Sequence, residues 1–452
     1  MSKKPLKQAV SIWLVAISSL MCVMAGQADA VAERSVRLAA ASRAGVHGFD
    51  LALGNRGYAV MVWTVRARTA TDRQYWANVF VRTRAPKASN FGRRHFLGKS
   101  SSESAEVEIG ATGATVVTWS GKDGRLRYVK RSPRSTWERP RTIYGARVSS
   151  AHVSIGRDGT IALASLRNGN LESGPSRVWG VSWAPGYRGI KKWRVVSRSA
   201  ERVGFHADVV ASTRGRGTVV WSGPCRAGKS KVATSWVDLA SHPSGPPRRV
   251  SNSGCVAWDI DLQADRFDNQ YLRLGLLGGV QLAVRKHGHG FSAATRVSPK
   301  GGNGGRGFLS VGANGLATII WGTSASASGY HYVTSRRASA PGQSRKLIGA
   351  RTGLSGTRDA LMDVAPLPNG KLAMLWSEIG TKKQGGSWDK LGVKVWRPRT
   401  GFQQPHYSVG LPKNHIPYPT GIATADGGSW IAWWQLLYEH DSIGTKVLWI
   451  GK

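Results

Sequence analysis

Short stretches of alternating apolar and polar residues, rich in Val, Ile, Thr, Tyr and Trp, run along most of the chain. Gly, Pro, Ser and Asn punctuate them. This is the pattern of half-buried strands joined by tight turns. One stretch shows the scheme. Val107-Glu108-Ile109 meets a turn at Gly110 to Gly113, and Thr115 to Trp119 follows. Leu126-Arg127-Tyr128-Val129 comes next, then a turn at Pro133 and a fourth strand around Arg141-Thr142-Ile143. The third strand recurs as Val79-Phe80-Val81, Val280 to Val284, His331-Tyr332-Val333 and Val393-Lys394-Val395-Trp396.

The scheme repeats. A turn ending in Gly, five residues and then Trp gives Gly57…Trp63, Gly113…Trp119, Gly215…Trp221, Gly315…Trp321, Gly370…Trp376 and Gly427…Trp433. Gly159…Ser165 keeps the spacing without the aromatic, and a degenerate copy sits at Asp268-Asn269. Taking Asn269 as the fifth anchor, successive anchors lie 46 to 57 residues apart. Four antiparallel strands at a period of ~50 describe a propeller blade, which must pack on its neighbours to bury both faces. The expected fold is all-β: a β-propeller of eight four-stranded blades, with seven as the runner-up because the fifth unit is weak. Unit eight runs out after Thr445 to Ile450 and lacks a fourth strand. Arg34-Ser35-Val36-Arg37-Leu38 resembles other fourth strands and is expected to close the ring, removing an open sheet edge. The periodic Trp residues read as wedges between blades. Trp183, Trp258, Trp388 and Trp430 fall out of phase.

Composition sharpens this picture in two ways. The 56 Gly and 19 Trp of the 452 residues suit repeated turns and wedges, and a 41% hydrophobic content can fill a core. The balance of 64 Lys+Arg against 25 Asp+Glu gives a formal charge of +39, so electrostatic partners are expected to be anionic. Lys3, Lys4 and Lys7 precede an apolar run from Ile12 to about Ala25, and Ala28-Asp29-Ala30 follows. That is the form of a Sec-type signal peptide over 1–30, cleaved near Ala30, with a single domain over 31–452. No second apolar run approaches the ~20 residues of a membrane span. A secreted or envelope-associated monomer is expected.

Export makes the two remaining cysteines informative. Cys225 and Cys255 leave one end of neighbouring blades in a meander topology, so a disulfide is expected; their spacing does not suit zinc. Seven residues before each turn anchor, counting from Asp268 in the fifth unit, stand Asp50, Glu106, His152, Asp208, Asp261, Phe308, Asp363 and Thr420. First strands are innermost in a propeller, so five acids and a His are expected to ring the axis at one mouth. They form either a polar pocket for a cationic or hydroxyl-rich ligand or a set of acceptors tying blades together. Basic residues collect in turns at the opposite end. Arg84, Arg131, Lys286, Arg337 and Arg399 mark a candidate polyanion face, joined by Arg56, Arg157, Arg214, Arg216 and Lys371 of the 1–2 turns.

The Gly-x5-Trp signature resembles that of secreted bacterial β-propellers over nearly the whole mature chain. The turn Gly156-Arg157-Asp158-Gly159-Thr160 is loosely similar to the Asp-box of sialidases, with Asp next to Gly and Ile161 where that box has Trp. The resemblance concerns a structural turn; sialidase chemistry itself works with a Tyr nucleophile and three Arg clamping a carboxylate. No Gly-x-Ser-x-Gly, His-Glu-x-x-His, P-loop or EF-hand loop occurs. The expected function is a non-catalytic binder of an anionic polysaccharide or cell-envelope polymer, with no cofactor, metal or specific nucleic acid. The alternative is a sialidase-like glycosidase or lyase drawing a carboxylate pair such as Asp208 and Asp261 from the mouth.

Overall fold

The computed structural model of the chain describes 34–37 and, between 46 and 450, chiefly the strands and tight turns. Outside this description lie 1–33, 38–45 and 451–452. So do several connections, among them 67–75, 168–176, 187–193, 198–205, 224–233, 240–245, 252–255, 324–329, 352–357, 380–387, 398–400, 411–415 and 425–429. The expected signal segment, Cys225, Cys255 and Arg399 fall there, as do the side chains of Arg337, Trp258, Trp388 and Trp430.

The fold is all-β and propeller-like. Among the described residues every strand pairing is antiparallel, and helical structure is confined to short 3-10 turns such as Pro368–Gly370. Four-stranded meanders recur as the sequence units predict. Unit four runs Ala207–Ala211, Gly217–Ser222, Thr234–Leu239 and Arg248–Ser251, each strand pairing with the next. Units one and two share a strand. His95–Ile109 pairs with Ala77–Arg84 through its first half and with Thr115–Gly121 through its second, and the register shifts between Ser100 and Ala105. Arg34–Arg37 pairs with the last strand, Gly444–Ile450, Arg34 standing opposite Trp449. The first strand of each unit lies against the first strand of the next, and Ile416–Thr424 of unit eight lies against Val46–Leu53 of unit one. Among the described residues no helix is long and apolar enough to cross a membrane.

The core lies between units. Val62, Val79 and Val81 of unit one pack on Val107, Val117 and Trp119 of unit two. Trp221 sits in the same way among Ala162, Ala164 and Val178 of unit three, and Trp321 among Tyr271, Leu282 and Val284 of unit five. Trp63, Trp119, Trp221 and Trp321 are all buried, so these repeated aromatics are wedges. Unit three has Ser165 in place of Trp, and there Tyr128 and Trp183 fill the interface, their rings 5.5 Å apart. Trp183 is therefore packing.

The turn between first and second strands explains the glycine pattern. Gly110 N–H donates to Ala114 O at 2.9 Å and Gly113 N–H to Gly110 O at 2.8 Å. Gly113 takes φ +82°, where an L side chain is strained, and a Cβ on Gly110 would lie 2.5 Å from Ile155 Cγ2 of the next unit. The same paired bonds recur at Gly54–Tyr58, Gly156–Thr160, Asp265–Asn269 and Gly312–Leu316. In unit five the anchor position is Asp268 (φ +60°) and not Asn269. In unit eight the register is one residue later than the Gly427…Trp433 spacing implies. Thr420 stands opposite Trp434 and Gly421 opposite Trp433, after a shift between Pro417 and Thr420. By comparison with Gly307 opposite Trp321 and Phe308 opposite Ile320, Gly421 and not Thr420 holds the ring position.

Candidate functional site: the axial ring and its mouth

A first strand is the inner edge of its sheet, and its outward N–H groups have no neighbouring strand to bond. The ring acids meet that need. Asp50 accepts Val107 N–H of unit two at 2.8 Å, and Asp208 accepts Leu262 N–H of unit five at 2.7 Å. Asp261 accepts Leu309 N–H of unit six at 2.8 Å, and Asp363 accepts Ile422 N–H of unit eight at 2.9 Å. Glu106 accepts Val153 N–H of unit three. Each acid thus ties its own unit to the next.

Three units carry no acid at this position: His152 in unit three, Phe308 in unit six and Gly421 in unit eight. The acid of the following unit then turns its second oxygen to its own strand. Asp208 takes Val209 N–H at 2.7 Å, Asp363 takes Val364 N–H at 2.8 Å and Asp50 takes Leu51 N–H at 2.8 Å. Five carboxylates so satisfy eight N–H groups, one from each unit. The interruptions of the acidic ring are compensated by the acids that bridge.

Asp50, Glu106, Asp208 and Asp261 stand in the walls of cavities between the first strands. Burial raises Asp50 to about 6 against two N–H bonds that lower it, and Asp363 to about 7 in the same way. Glu106 is pushed up to about 7 by burial, with His152 lowering it and Asp50 and Asp208 adding to the rise. Glu108, two residues on, reaches about 8 through burial and the charges of Asp50 and Glu106. Burial also raises Asp208. The exposed His152 side chain stands under the influence of Glu106 and Asp208. Desolvation lowers it, but the carboxylates of Glu106 and Asp208 prevail and its value rises above the ordinary one. The sequence-predicted ring residues are thus one interacting set.

Two adjoining cavities of about 960 and 640 Å³ share Glu108, Val153 and Pro366 in their walls. The larger runs from Asp208 and Asp261 to the 1–2 turns, reaching Arg157, Arg266, Asn314 and Asn369. The smaller is walled by Asp50, Glu106 and Ile422. Among the described residues no group of His, Cys, Asp and Glu has an arrangement that would hold a metal.

The basic residues divide into two kinds. Arg84 is buried at the end of its strand, donating from Nε to Ala88 O at 2.7 Å and from Nη1 to Gly57 O at 3.3 Å. Arg131 repeats the turn contact, Nε to Ser135 O at 2.7 Å, and reaches Tyr58 Oη of unit one. The third member is Arg285, not its neighbour Lys286. Its Nε bonds His289 O, while Nη1 and Nη2 clasp Asp238 of unit four at 2.6 and 2.9 Å over the Trp236 ring. Strand pairing puts Arg337 at the equivalent place, opposite Leu316. The guanidinium groups of Arg84, Arg131 and Arg285 hold turns and neighbouring units together. Lys286 is exposed, as are Arg157, Arg214, Arg216 and Arg266 on the 1–2 turns. Arg266 and Phe267 were not singled out by the sequence; the break in the Gly-x-x-Gly turn of unit five is the signal that marks them.

No family model matches the sequence, and no curated protein matches it either. Among solved structures the chain is similar to a lectin of Burkholderia pseudomallei, BP39L, at 14% identity and a TM-score of 0.48, covering 80% of this chain and 99% of that one. It is also similar to the polysaccharide lyase Uly1, at 9% identity and 0.45, covering 90% of each chain. A Trypanosoma rangeli sialidase gives 9% identity and 0.40, covering 92% of this chain and 58% of the sialidase. At these values no activity or ligand carries over from one to another. The class that fold and site define is an all-β, propeller-like protein whose successive units are joined by carboxylates beside two adjoining cavities.

Proposed function

We propose that this is an exported, monomeric propeller of eight blades, closed by the Arg34–Arg37 strand, that binds an anionic envelope polysaccharide without catalysis. The observation that carries the reading is the state of the two charge sets beside the cavities. The ring carboxylates are occupied by backbone N–H groups, while Arg157 and Arg266 are exposed where the larger cavity reaches the 1–2 turns. A ligand entering there meets free guanidinium groups first, which suit carboxylate or sulfate oxygens. Lys286, Arg214 and Arg216 extend the cationic rim, and Arg399 belongs to the same proposed face. The test is titration of the full chain with polygalacturonate and with neutral dextran at two salt concentrations. Tight, strongly salt-dependent binding of the polyanion alone is expected. Equal binding of dextran, or no salt dependence, would refute this reading.

One observation favours the enzyme alternative. Glu106 and Glu108 stand side by side on the cavity wall with values near neutrality, the range a general acid needs. Release of reducing or unsaturated ends from the polymer, abolished in a folded Glu106→Gln or Glu108→Gln variant, would establish it.

A further inference from the structure

Unit five is the weak member of the repeat, and its departure has a definite form. The turn that elsewhere reads Gly110-Ala111-Thr112-Gly113 or Gly156-Arg157-Asp158-Gly159 reads here Asp265-Arg266-Phe267-Asp268. Side chains replace glycine as the source of its shape. Buried Asp265 accepts Phe267 N–H at 2.8 Å, Asn269 N–H at 3.0 Å and Asn269 Nδ2 at 2.9 Å. Asp268 holds Thr213 Oγ1 of the adjacent unit at 2.8 Å. The turn is braced from inside and from the side.

Its tip then presents a phenyl ring to water. Phe267 is 55% exposed, although the fold gains nothing from leaving it there. The Arg266 guanidinium lies 4.7 Å from the ring centroid, covering part of the ring and leaving the rest open. Exposed cations flank this tip, while the turn's own Asp265 and Asp268 are held by Asn269 and Thr213. Lys286 and His287 sit on the neighbouring turn, which is tied to this one by His287 N–H to Asn269 Oδ1 at 3.2 Å, and exposed Arg214 follows Thr213. A rigid aromatic face set among cations matches a flat ring that carries an anionic substituent. The ordering cost of such a contact is largely met before any ligand arrives.

We propose that Phe267 and Arg266 form a subsite for one acidic pyranose unit of a polysaccharide. The C–H face of the sugar stacks on Phe267, and its carboxylate or sulfate pairs with Arg266, flanked by Lys286. This rests on the binding function proposed above and adds to it the residue that reads the sugar ring.

The test compares full-length wild type with Phe267→Ala, Phe267→Trp and Arg266→Ala by calorimetric titration. The probes are polygalacturonate, which has rings and charge, and polyphosphate, which has charge alone. Phe267→Ala should bind polygalacturonate roughly tenfold more weakly, the size of one good stacking contact, and leave polyphosphate unchanged. Phe267→Trp should restore the affinity, and Arg266→Ala should weaken both probes. Wild-type affinity in Phe267→Ala, or an equal loss on both probes, would overturn the subsite while leaving the broader binding function standing. Failure of the wild type to bind either polyanion would overturn both. A change in sedimentation of Phe267→Ala, showing that the ring meets a second copy of the chain, would also overturn the subsite.

Discussion

The two ends of the inner strands solve one problem in different ways. At the ring, four residues before the turn, neighbouring units are joined by carboxylates that accept backbone N–H groups. At the turns the joints are more varied. Arg214 N–H donates to Asp158 at 2.6 Å, Gly215 N–H to Thr160 Oγ1 at 2.9 Å, and Tyr271 Oη–H to Gly315 O at 2.8 Å. The ring bonds use main-chain donors that every residue type supplies, so only the acids are constrained. The turn bonds use a different partner set at each junction, and this leaves the turn tips free to vary. Charge at the ring is therefore spent on architecture, whereas charge at the turn tips is open to a partner.

The largest effect that would break this contrast is expected at the bridging acids. Asp208→Ala removes the acceptor of two N–H groups and should cost about 2–4 kcal/mol in urea unfolding. Asp261 takes one backbone N–H but also faces the buried Arg273 guanidinium at 3.8 Å, so Asp261→Ala removes a carboxylate from beside that charge and should cost at least as much. A loss at Asp208 below about 1 kcal/mol would mean that the bridging geometry is not what holds the ring. Next in size comes the close approach at the turns. Gly110→Ala drives a Cβ into Ile155 and should cost about 1–3 kcal/mol. Gly288→Ala meets open space at φ +77° and should show only the smaller backbone penalty.

The pH dependence sharpens the comparison further. Asp50, Glu106, Glu108 and Asp363 all have folded values above their ordinary ones, so the folded state holds protons that the unfolded chain releases. Their contribution is complete below about pH 4 and is lost as the pH rises through about 6 to 8. Raised His152 acts in the same direction. Unfolding free energy measured at pH 5 should exceed that at pH 8.5, and Glu108→Gln should flatten the upper part of the decline. A stability that rises over this interval would contradict the ring electrostatics. The smallest effect is expected at the turn tip, where Phe267→Ala should leave the unfolding midpoint within about 0.5 kcal/mol of wild type.

Much of this architecture is legible in the chain, because alternation and a fixed turn spacing are local properties. Unit five keeps its four strands although its anchor moves to Asp268. Unit eight shows where local reading ends. Gly427-Gly428 and Trp433-Trp434 are doublets, and both Gly427…Trp433 and Gly428…Trp434 satisfy the spacing. Only the bulge between Pro417 and Thr420 selects the register that makes Gly421 the ring residue. The acids at one repeat position are likewise visible in the sequence. That five of them would serve eight N–H groups is not, since it depends on which unit follows a His, a Phe or a Gly. The arginines ending the third strands mislead for a similar reason. Arg285 and Lys286 are adjacent cations, but strand register turns one inward onto Asp238 and leaves the other in water.

The strand His95–Ile109 carries a mechanical consequence. Elsewhere the last strand of one unit and the first of the next are separate strands, but here a single extended segment is the last strand of unit one and the first of unit two. Opening either unit strips hydrogen bonds from the other. These two units should therefore exchange their amide protons as one cooperative block, with a shared opening free energy, while units three and four open separately. In an otherwise modular chain, this stretch is where modularity ends.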